Sequence, residues 1–361
     1  MKDNQTLGIL GSGVRDGLQL KPVRYEWAYR LYNQAVANTW FPNEVQLVQD
    51  LADFKKLTED EKNALKTVIS YLNPNELLIN KSLAFGIYPC VNAAECHLYL
   101  SKQMWEEANH FMTFEYIIET FPFNREEIYA AGWGKKSLAD KAAFQTKYVT
   151  RMMEERPDVT TTEGKKDFVR NLVAYNIVLE GIWFYSGFMV GMSFRRRNLL
   201  RNVGTLLDWV TRDENLHLEF GINLLLTILH ENPDLQDPEF ADEIRNLILQ
   251  AVELEEAYNR DMLPNGILGL NADYVNQYVK FMTDRRLEEL GFDISKEEKL
   301  IEEAVDYGKK GNVFSRYAEI RKLKKQKNTL KPVYQIQKEK TEKVLKEKVE
   351  SFLPKAADAT I

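Results

Sequence analysis

The sequence predicts an all-α protein, and three features support that fold class. Long stretches repeat apolar residues at the 3.6-residue period of a helix. Regular alternation of apolar and polar residues between tight turns, the usual strand signal, is missing. Glycine and proline are scarce, with 18 and 11 residues in a chain of 361. We therefore expect one helical bundle followed by a tail.

Five long helices are predicted along the chain. A capping box formed by Thr58 and Glu61 marks the start of the first. Asn73 and Pro74 are expected to interrupt it, because proline lacks the amide hydrogen and clashes with the preceding turn. Gly, Asn and Pro signals close the other helices, which are expected over about residues 92–121, 166–194, 204–230 and 238–260.

The stretch between Arg170 and Arg195 is apolar and long enough to cross a membrane. Against that reading stand a carboxylate at its middle, Glu180, three glycines, and the lack of a second comparable run. We expect a buried core helix and no association with a membrane.

Composition and charge exclude several classes of protein. With 44% hydrophobic and 28% charged residues, the chain is globular rather than disordered. Its net charge of −6 does not favour phosphate backbones, so we expect no nucleic-acid partner. Only two cysteines, Cys90 and Cys96, are present, and no signal-like segment begins the sequence, which fits a reducing, cytoplasmic setting.

Two histidines are candidate metal ligands. His110 and His217 each follow a glutamate by three residues, Glu107 and Glu214, so each pair shares one helix face. Either pair alone is equally well explained as an accidental acid and histidine on a surface helix. The other two histidines, His97 and His230, lack such a glutamate and are interpreted as structural or exposed.

A lone glutamate in an apolar helix precedes each pair. Glu76 lies 31 residues before Glu107, and Glu180 lies 34 residues before Glu214. One Glu from each of two helices and Glu-x-x-His from each of two others is the ligand set of ferritin-like di-iron and di-manganese carboxylate proteins. A buried carboxylate needs a cation, and oxygen and imidazole donors suit iron or manganese better than structural zinc. For Glu76, a helix cap at the third position after Asn73 is the alternative.

The chain resembles the radical-generating small (beta) subunit of class I ribonucleotide reductase over about residues 22–292. Seven motifs carry the resemblance: residues 25–28 (YEWA), 38–44 (NTWFPNE), 105–110 (WEEANH), 179–188 (LEGIWFYSGF), 212–217 (RDENLH), 263–270 (LPNGILGL) and 284–287 (DRRL). The resemblance implies a ferritin-like homodimer with a dinuclear metal carboxylate centre that uses O2, or an oxidant derived from it. It further implies a large (alpha) subunit on which ribonucleotides are reduced to deoxyribonucleotides.

The resemblance also assigns roles to residues. One metal would be held by Glu76, Glu107 and His110, and the other by Glu180, Glu214 and His217, with carboxylates bridging. Trp40 and Asp213, together with His110, would begin the radical-transfer route to the large subunit.

Two departures from the family pattern concern the metal centre. Phe114 stands four residues after His110, where most members carry the radical tyrosine, so a tyrosyl radical at that position is excluded. Glu76 stands where aspartate is commoner. Together they resemble the class Ic branch, in which a Mn/Fe pair stores the oxidising equivalent; Mn2 and Fe2 are the alternatives. Without the resemblance, Phe114 would be interpreted as a core aromatic residue.

Three segments are expected: an N-terminal segment and arm over residues 1–57, the metal-binding bundle over 58–307, and a flexible, lysine-rich, partner-binding tail over 308–361. The usual Asn-Pro-Phe or Asn-Pro-Ile segment is missing from the tail. Tyr334 is the candidate relay tyrosine, with a plain tail residue as the alternative.

Two alternative functions are consistent with the same ligands. One is a stand-alone, R2-like ligand-binding Mn/Fe oxidase, and the other is a non-catalytic ferritin-like metal-binding protein. Trp40, Asp213 and the long tail favour the reductase, because a stand-alone oxidase has no need of a transfer route to a partner.

Overall fold

The computed structural model describes residues 7–13 and 17–292, without the side chains of 131–134. Within these residues every regular element is a helix or a helical turn. The only β pairing among them is two isolated bridges, Leu10 with Val91 and Ile267 with Leu270. The predicted all-α fold class is therefore confirmed.

Twelve α-helices are found in the described part of the chain. In order they are α1 (Glu26–Ala37), α2 (Leu51–Phe54), α3 (Glu59–Ser82), α4 (Ala94–Thr120), α5 (Arg125–Gly134), α6 (Lys136–Gln145), α7 (Arg151–Glu154), α8 (Thr162–Leu172), α9 (Phe184–Arg196), α10 (Arg201–Glu231), α11 (Pro238–Met262) and α12 (Ala272–Glu289). Wider π-helical turns occupy Leu83–Ile87, Thr146–Thr150 and Val173–Trp183. Short 3₁₀ turns lie at Pro42–Glu44, Leu47–Asp50, Tyr88–Cys90 and Pro233–Leu235.

Four long helical elements form the bundle that positions the site. α3 packs along α4, and α10 packs against the π-helical segment Val173–Trp183 and the α9 helix that continues it. α4 in turn contacts α10, while α1 covers α4 and α11 covers the π-helical segment. The inward faces of these elements are buried, so any polar side chain on them lies in a dry interior.

The start of α3 agrees with the sequence. Thr58 accepts a hydrogen bond from the Glu61 amide at 3.2 Å, and the Glu61 carboxylate accepts one from the Thr58 amide at 2.9 Å. The predicted capping box is confirmed, since both backbone donors at the helix start are satisfied.

The predicted interruption at Asn73 and Pro74 is wrong, because α3 runs through both residues without a break. Pro74 is exposed, and the Asn75 side chain donates to the Tyr71 carbonyl at 2.5 Å in the turn around it. Asn73 donates to the Glu115 carboxylate at 2.6 Å instead of capping a helix. Because no helix starts at Asn73, the alternative role of Glu76 as a capping residue is also wrong.

The apolar stretch around Glu180 belongs to one long helical run, Thr162–Arg196. Length and composition alone would let this run cross a membrane, yet 83% of its most apolar window is buried inside the protein. It is a core helix, as predicted.

The described residues up to Thr283 belong to one compact unit. A second unit begins at Asp284, and only its residues 284–292 are described. The boundary predicted at residue 308 and the tail tyrosine, Tyr334, therefore lie outside the described residues.

Candidate metal centre

Six carboxylate and imidazole side chains converge in the middle of the bundle. Each of the six is fully buried, with none of its surface exposed. They come from four elements: Glu76 from α3, Glu107 and His110 from α4, Glu180 from the π-helical segment, and Glu214 and His217 from α10. The structure thus brings together every residue that the sequence proposed as a ligand.

The six side chains form two overlapping groups, in each of which the candidate ligand atoms lie within 4.8 Å of one another. Glu76 and His110 belong to the first group only, and Glu180 and His217 to the second only. Glu107 and Glu214 belong to both groups. The arrangement can hold two metal ions.

The two shared carboxylates each direct one oxygen to either group. His110 Nδ1 lies 3.1 Å from Glu214 Oε1 and 4.0 Å from Glu107 Oε2. His217 Nδ1 lies 3.3 Å from Glu214 Oε2 and 3.1 Å from Glu107 Oε1. The centroids of the two imidazole rings are 5.8 Å apart, and Glu107 and Glu214 are the carboxylates that lie within reach of both.

The donor atoms fit bound cations, because several of them are buried without a hydrogen-bond partner. Both oxygens of Glu76 are in this state, as are Glu107 Oε2, Glu214 Oε1 and His110 Nδ1. A buried polar atom without a partner destabilises the fold by about 1–3 kcal/mol. Divalent metals would satisfy these atoms, and oxygen and imidazole are the donors that manganese and iron prefer.

The charges in the cavity point the same way. Burial raises the pKa of Glu76 and Glu180 well above the ordinary value for glutamate. Burial alone would lower the pKa of both histidines, but the carboxylates around them raise the pKa of His110 and His217 well above the ordinary value. All four shifts favour the protonated forms, and two divalent cations would take the place of those protons, because metal ions bind carboxylates and neutral imidazoles.

Asp213 connects the cluster to Trp40. Its Oδ2 atom accepts a hydrogen bond from the Trp40 indole nitrogen at 2.6 Å and lies 3.4 Å from His110 Nε2. Burial raises the pKa of Asp213, but the hydrogen bonds from His110 and Trp40 hold it below its ordinary value. The Trp40 ring is buried and stacks on the His110 ring at a centroid distance of 6.0 Å.

Glu180 is held by three side chains that the sequence patterns did not single out. Gln103 Nε2 donates to Glu180 Oε1 at 3.0 Å, and the Tyr175 hydroxyl donates to the same oxygen at 2.8 Å. Asn176 Nδ2 donates to Glu180 Oε2 at 2.7 Å. Gln103 and Asn176 each lie four residues before a candidate ligand, a spacing that could have indicated them.

The remaining residues singled out from the sequence lie in different settings. Phe114 is fully buried on α4, one turn beyond His110. His97 is structural: its Nε2 lies 3.0 Å from the Val91 carbonyl oxygen, and its ring stacks on Tyr88. His230 is exposed near the end of α10, and neither histidine belongs to the cluster.

Fold and site together define the class: a ferritin-like helical protein whose buried carboxylates and imidazoles can hold a dinuclear metal site. The family model for the ribonucleotide reductase small chain matches residues 17–295. The ribonucleoside-diphosphate reductase subunit beta of Chlamydia pneumoniae is 37% identical over 286 residues, which cover 79% of this chain and 83% of that protein. The chain therefore belongs to the ribonucleotide reductase small chain family. It is the small subunit of a ribonucleoside-diphosphate reductase.

Solved structures agree with this assignment. The ribonucleotide reductase R2 subunit from Clostridium botulinum superposes with a TM-score of 0.73 at 27% identity, covering 80% of this chain and 88% of that one. The dimanganese(II)-NrdF of Streptococcus sanguinis shares the fold, with a TM-score of 0.66 at 20% identity over 76% of this chain and 92% of that one. Membership of this family implies a large-subunit partner and a homodimer.

A second family model, described as a putative peptidoglycan binding domain, matches residues 284–361. Of these residues the structure describes only 284–292.

Proposed function

We propose that this small subunit initiates ribonucleotide reduction from a Mn/Fe centre held by Glu76, Glu107, His110, Glu180, Glu214 and His217. The observation that carries the proposal is a fully buried six-residue cluster connected through Asp213 to a buried tryptophan, Trp40. When bound, the two metals supply the one-electron oxidising equivalent that the protein side chains lack.

The protein holds and connects the metals in this proposal. Glu107 and Glu214 would be shared between the two metal positions, because each directs one oxygen to each imidazole. Asp213 orients the His110 imidazole from its Nε2 side, leaving Nδ1 for the cluster. The burial of all six side chains excludes water and so protects the oxidising equivalent from loss.

The transfer route begins at His110, Asp213 and Trp40. A buried indole that donates to a carboxylate is a suitable relay, because its proton has an acceptor 2.6 Å away when an electron leaves the ring. Asn109 donates to the Trp40 carbonyl at 3.1 Å and Arg212 Nη2 donates to the Asn38 carbonyl at 2.6 Å, so the backbone on either side of the relay is anchored.

Phe114 favours Mn/Fe over a tyrosyl-radical centre. It lies on the ligand-bearing face of α4, four residues after His110, and has no hydroxyl group to oxidise. The oxidising equivalent would then reside on the metals themselves. Mn2 and Fe2 remain the alternatives, because the same oxygen and nitrogen donors bind both metals.

The partners in this proposal are a second copy of the chain, a large subunit that binds the nucleotide, and O2 or an oxidant derived from it. The tail over 308–361 would dock the large subunit, with Tyr334 as the relay tyrosine. A cytoplasmic location, with neither nucleic acid nor membrane as a partner, completes the proposal.

Metal analysis with electron paramagnetic resonance tests the proposal. The protein would be loaded with manganese and iron together and exposed to oxygen. We expect one manganese and one iron per chain with no tyrosyl signal. Two manganese or two iron ions per chain would replace the Mn/Fe assignment, and a chain that binds no transition metal would overturn the six-ligand site.

A further inference from the structure

Each of the two Glu-x-x-His motifs carries one acidic residue that the ligand pattern does not require. An acidic residue precedes the glutamate of each pair: Glu106 before Glu107, and Asp213 before Glu214. In the structure each of these acids crosses to the histidine of the other helix. Asp213 on α10 faces His110 on α4, and Glu106 on α4 faces His217 on α10.

Glu106 meets His217 on the side away from the cluster. Its Oε2 lies 3.0 Å from His217 Nε2, and its side chain is 1% exposed. His217 Nδ1 points the opposite way, to Glu107 and Glu214. A proton on Nε2, donated to Glu106, leaves the Nδ1 lone pair free for a metal ion.

Lys102 compensates the charge of Glu106. It lies one turn earlier on α4, with Nζ 3.1 Å from Glu106 Oε1, and its side chain is only 10% exposed. The ammonium group also lies over the Trp105 ring, 3.9 Å from its centroid. A fifth carboxylate beside four others is tolerated here because a nearly buried cation is paired with it.

The corresponding acid at the other position has different neighbours. Asp213 shares its oxygens between the neutral indole of Trp40 and the Arg212 guanidinium, which is 3.4 Å away and 40% exposed. The His110 position is thus connected to an aromatic relay and to a partly exposed guanidinium, whereas the acid at the His217 position is paired with a nearly buried ammonium group. The two metal positions are therefore electrostatically unequal.

We infer that Lys102 and Glu106 are a positioning pair for His217. The pair sets the metal affinity of the position formed by Glu180 and His217, and it takes no part in the transfer route through Trp40. The inference rests on the proposed function, since it assumes that the cluster holds two metals. Glu106 fixes the ring orientation and increases the basicity of His217, and Lys102 holds Glu106 in place through the ion pair.

The test is a Mn(II) titration of the full chain, read from the electron paramagnetic resonance signal of free Mn(II). The variants are Glu106→Gln, which keeps the shape and an acceptor but removes the charge, and Lys102→Met, which removes the cation. Loss of a partner of this kind typically weakens metal binding by about 10-fold to 100-fold. We expect this loss of affinity for one of the two Mn(II) ions and an unchanged affinity for the other.

Lys102→Arg should restore the affinity, because it keeps a cation beside Glu106. Lys136→Met is the matched control: Lys136 also pairs with an acid four residues away, Asp140, but its side chain is 86% exposed on α6. Circular dichroism of every variant checks that the helices remain folded.

Three outcomes would overturn the inference. Wild-type affinity for both ions in Glu106→Gln and Lys102→Met would show that the pair has no effect on the centre. Equal weakening of both ions would show a general effect on the bundle. A wild-type chain that binds no Mn(II) would contradict the proposed function as well as the inference. The first two outcomes contradict the inference alone.

Discussion

At the scale of single residues, Asp213 joins two functions of the centre. One of its oxygens lies within reach of both His110 Nε2 and the Trp40 indole nitrogen, at 3.4 and 2.6 Å. In the proposed function, Asp213 would orient a metal ligand and accept the indole proton with the same atom. The carboxylate thus joins the ring nitrogens of two rings that stack on each other.

Substitution of Trp40 separates metal binding from transfer. Trp40→Phe keeps an aromatic ring in a buried place but removes the N–H that bonds to Asp213. We expect unchanged metal content and loss of nucleotide reduction in an assay with the large subunit. Trp27→Phe, which alters a ring packed on Phe220, is the control and should retain activity. Full activity of Trp40→Phe would rule out the route.

At the scale of elements, the π-helical segment Val173–Trp183 decides where Glu180 lies. Asn176, on the same segment, donates to Glu180 and also to the His217 carbonyl at 2.9 Å, so it joins the segment to α10. The close approach requires Gly221, since a Cβ atom there would lie 1.8 Å from Asn176 Oδ1. A glycine on α10 therefore supports a candidate ligand on another element.

A double-mutant cycle tests this close approach. Gly221→Ala should lower the free energy of unfolding by about 1–3 kcal/mol, because the new methyl group overpacks the contact. The same change made together with Asn176→Ala should have a smaller effect, because the clashing amide is gone. Urea denaturation of the four proteins measures the coupling. Equal effects of Gly221→Ala in both backgrounds would contradict the contact.

At the scale of the whole molecule, a second buried charge pair lies outside the metal cluster. Lys141 on α6 pairs with Glu255 on α11, and neither side chain is exposed. The Lys141 ammonium lies 3.6 Å from the ring centroid of Tyr71, 4.3 Å from that of Trp183 and 4.2 Å from that of Tyr258. This group connects α3, the π-helical segment, α6 and α11.

Removal of one member of this pair should destabilise the whole bundle. Lys141→Met leaves the Glu255 carboxylate buried without its cation, a change that typically lowers the free energy of unfolding by about 3–5 kcal/mol. Adding Glu255→Leu removes that carboxylate and should recover most of the loss. Thermal and urea denaturation measure the stability of both variants. If Lys141→Met were as stable as the wild type, the stabilising role of the pair would be refuted.

The same lysine predicts a pH dependence of stability. Burial lowers the pKa of Lys141 from 10.5 to about 8. Between these values the unfolded chain binds the proton and the folded chain releases it, so the free energy of unfolding rises with pH. Buried cysteines and tyrosines with raised pKa values oppose this rise, so urea denaturation from pH 8 to 10.5 should show it as a more positive slope in the wild type than in Lys141→Met. Parallel curves for the two proteins would contradict it.

The sequence by itself determined the start of α3, the positions of α4, α10 and α11, and the two Glu-x-x-His pairs, because these depend on contacts within one helix turn. Glu107 and His110 must share a face wherever α4 lies, and Thr58 must cap α3 once the helix starts there. These are local consequences of helical geometry. They also placed Phe114 on the ligand-bearing face of α4 before any packing was known.

Only the tertiary structure decided the contacts between helices. That Glu106 faces His217, and that Gln103 and Asn176 hold Glu180, follows from how α4, α10 and the π-helical segment are rotated against one another. The continuity of α3 through Pro74 is another such result, because α3 packs along α4 and Asn73 donates to Glu115 on that helix. Helix rotation depends on packing over the whole bundle, which no short stretch of sequence specifies.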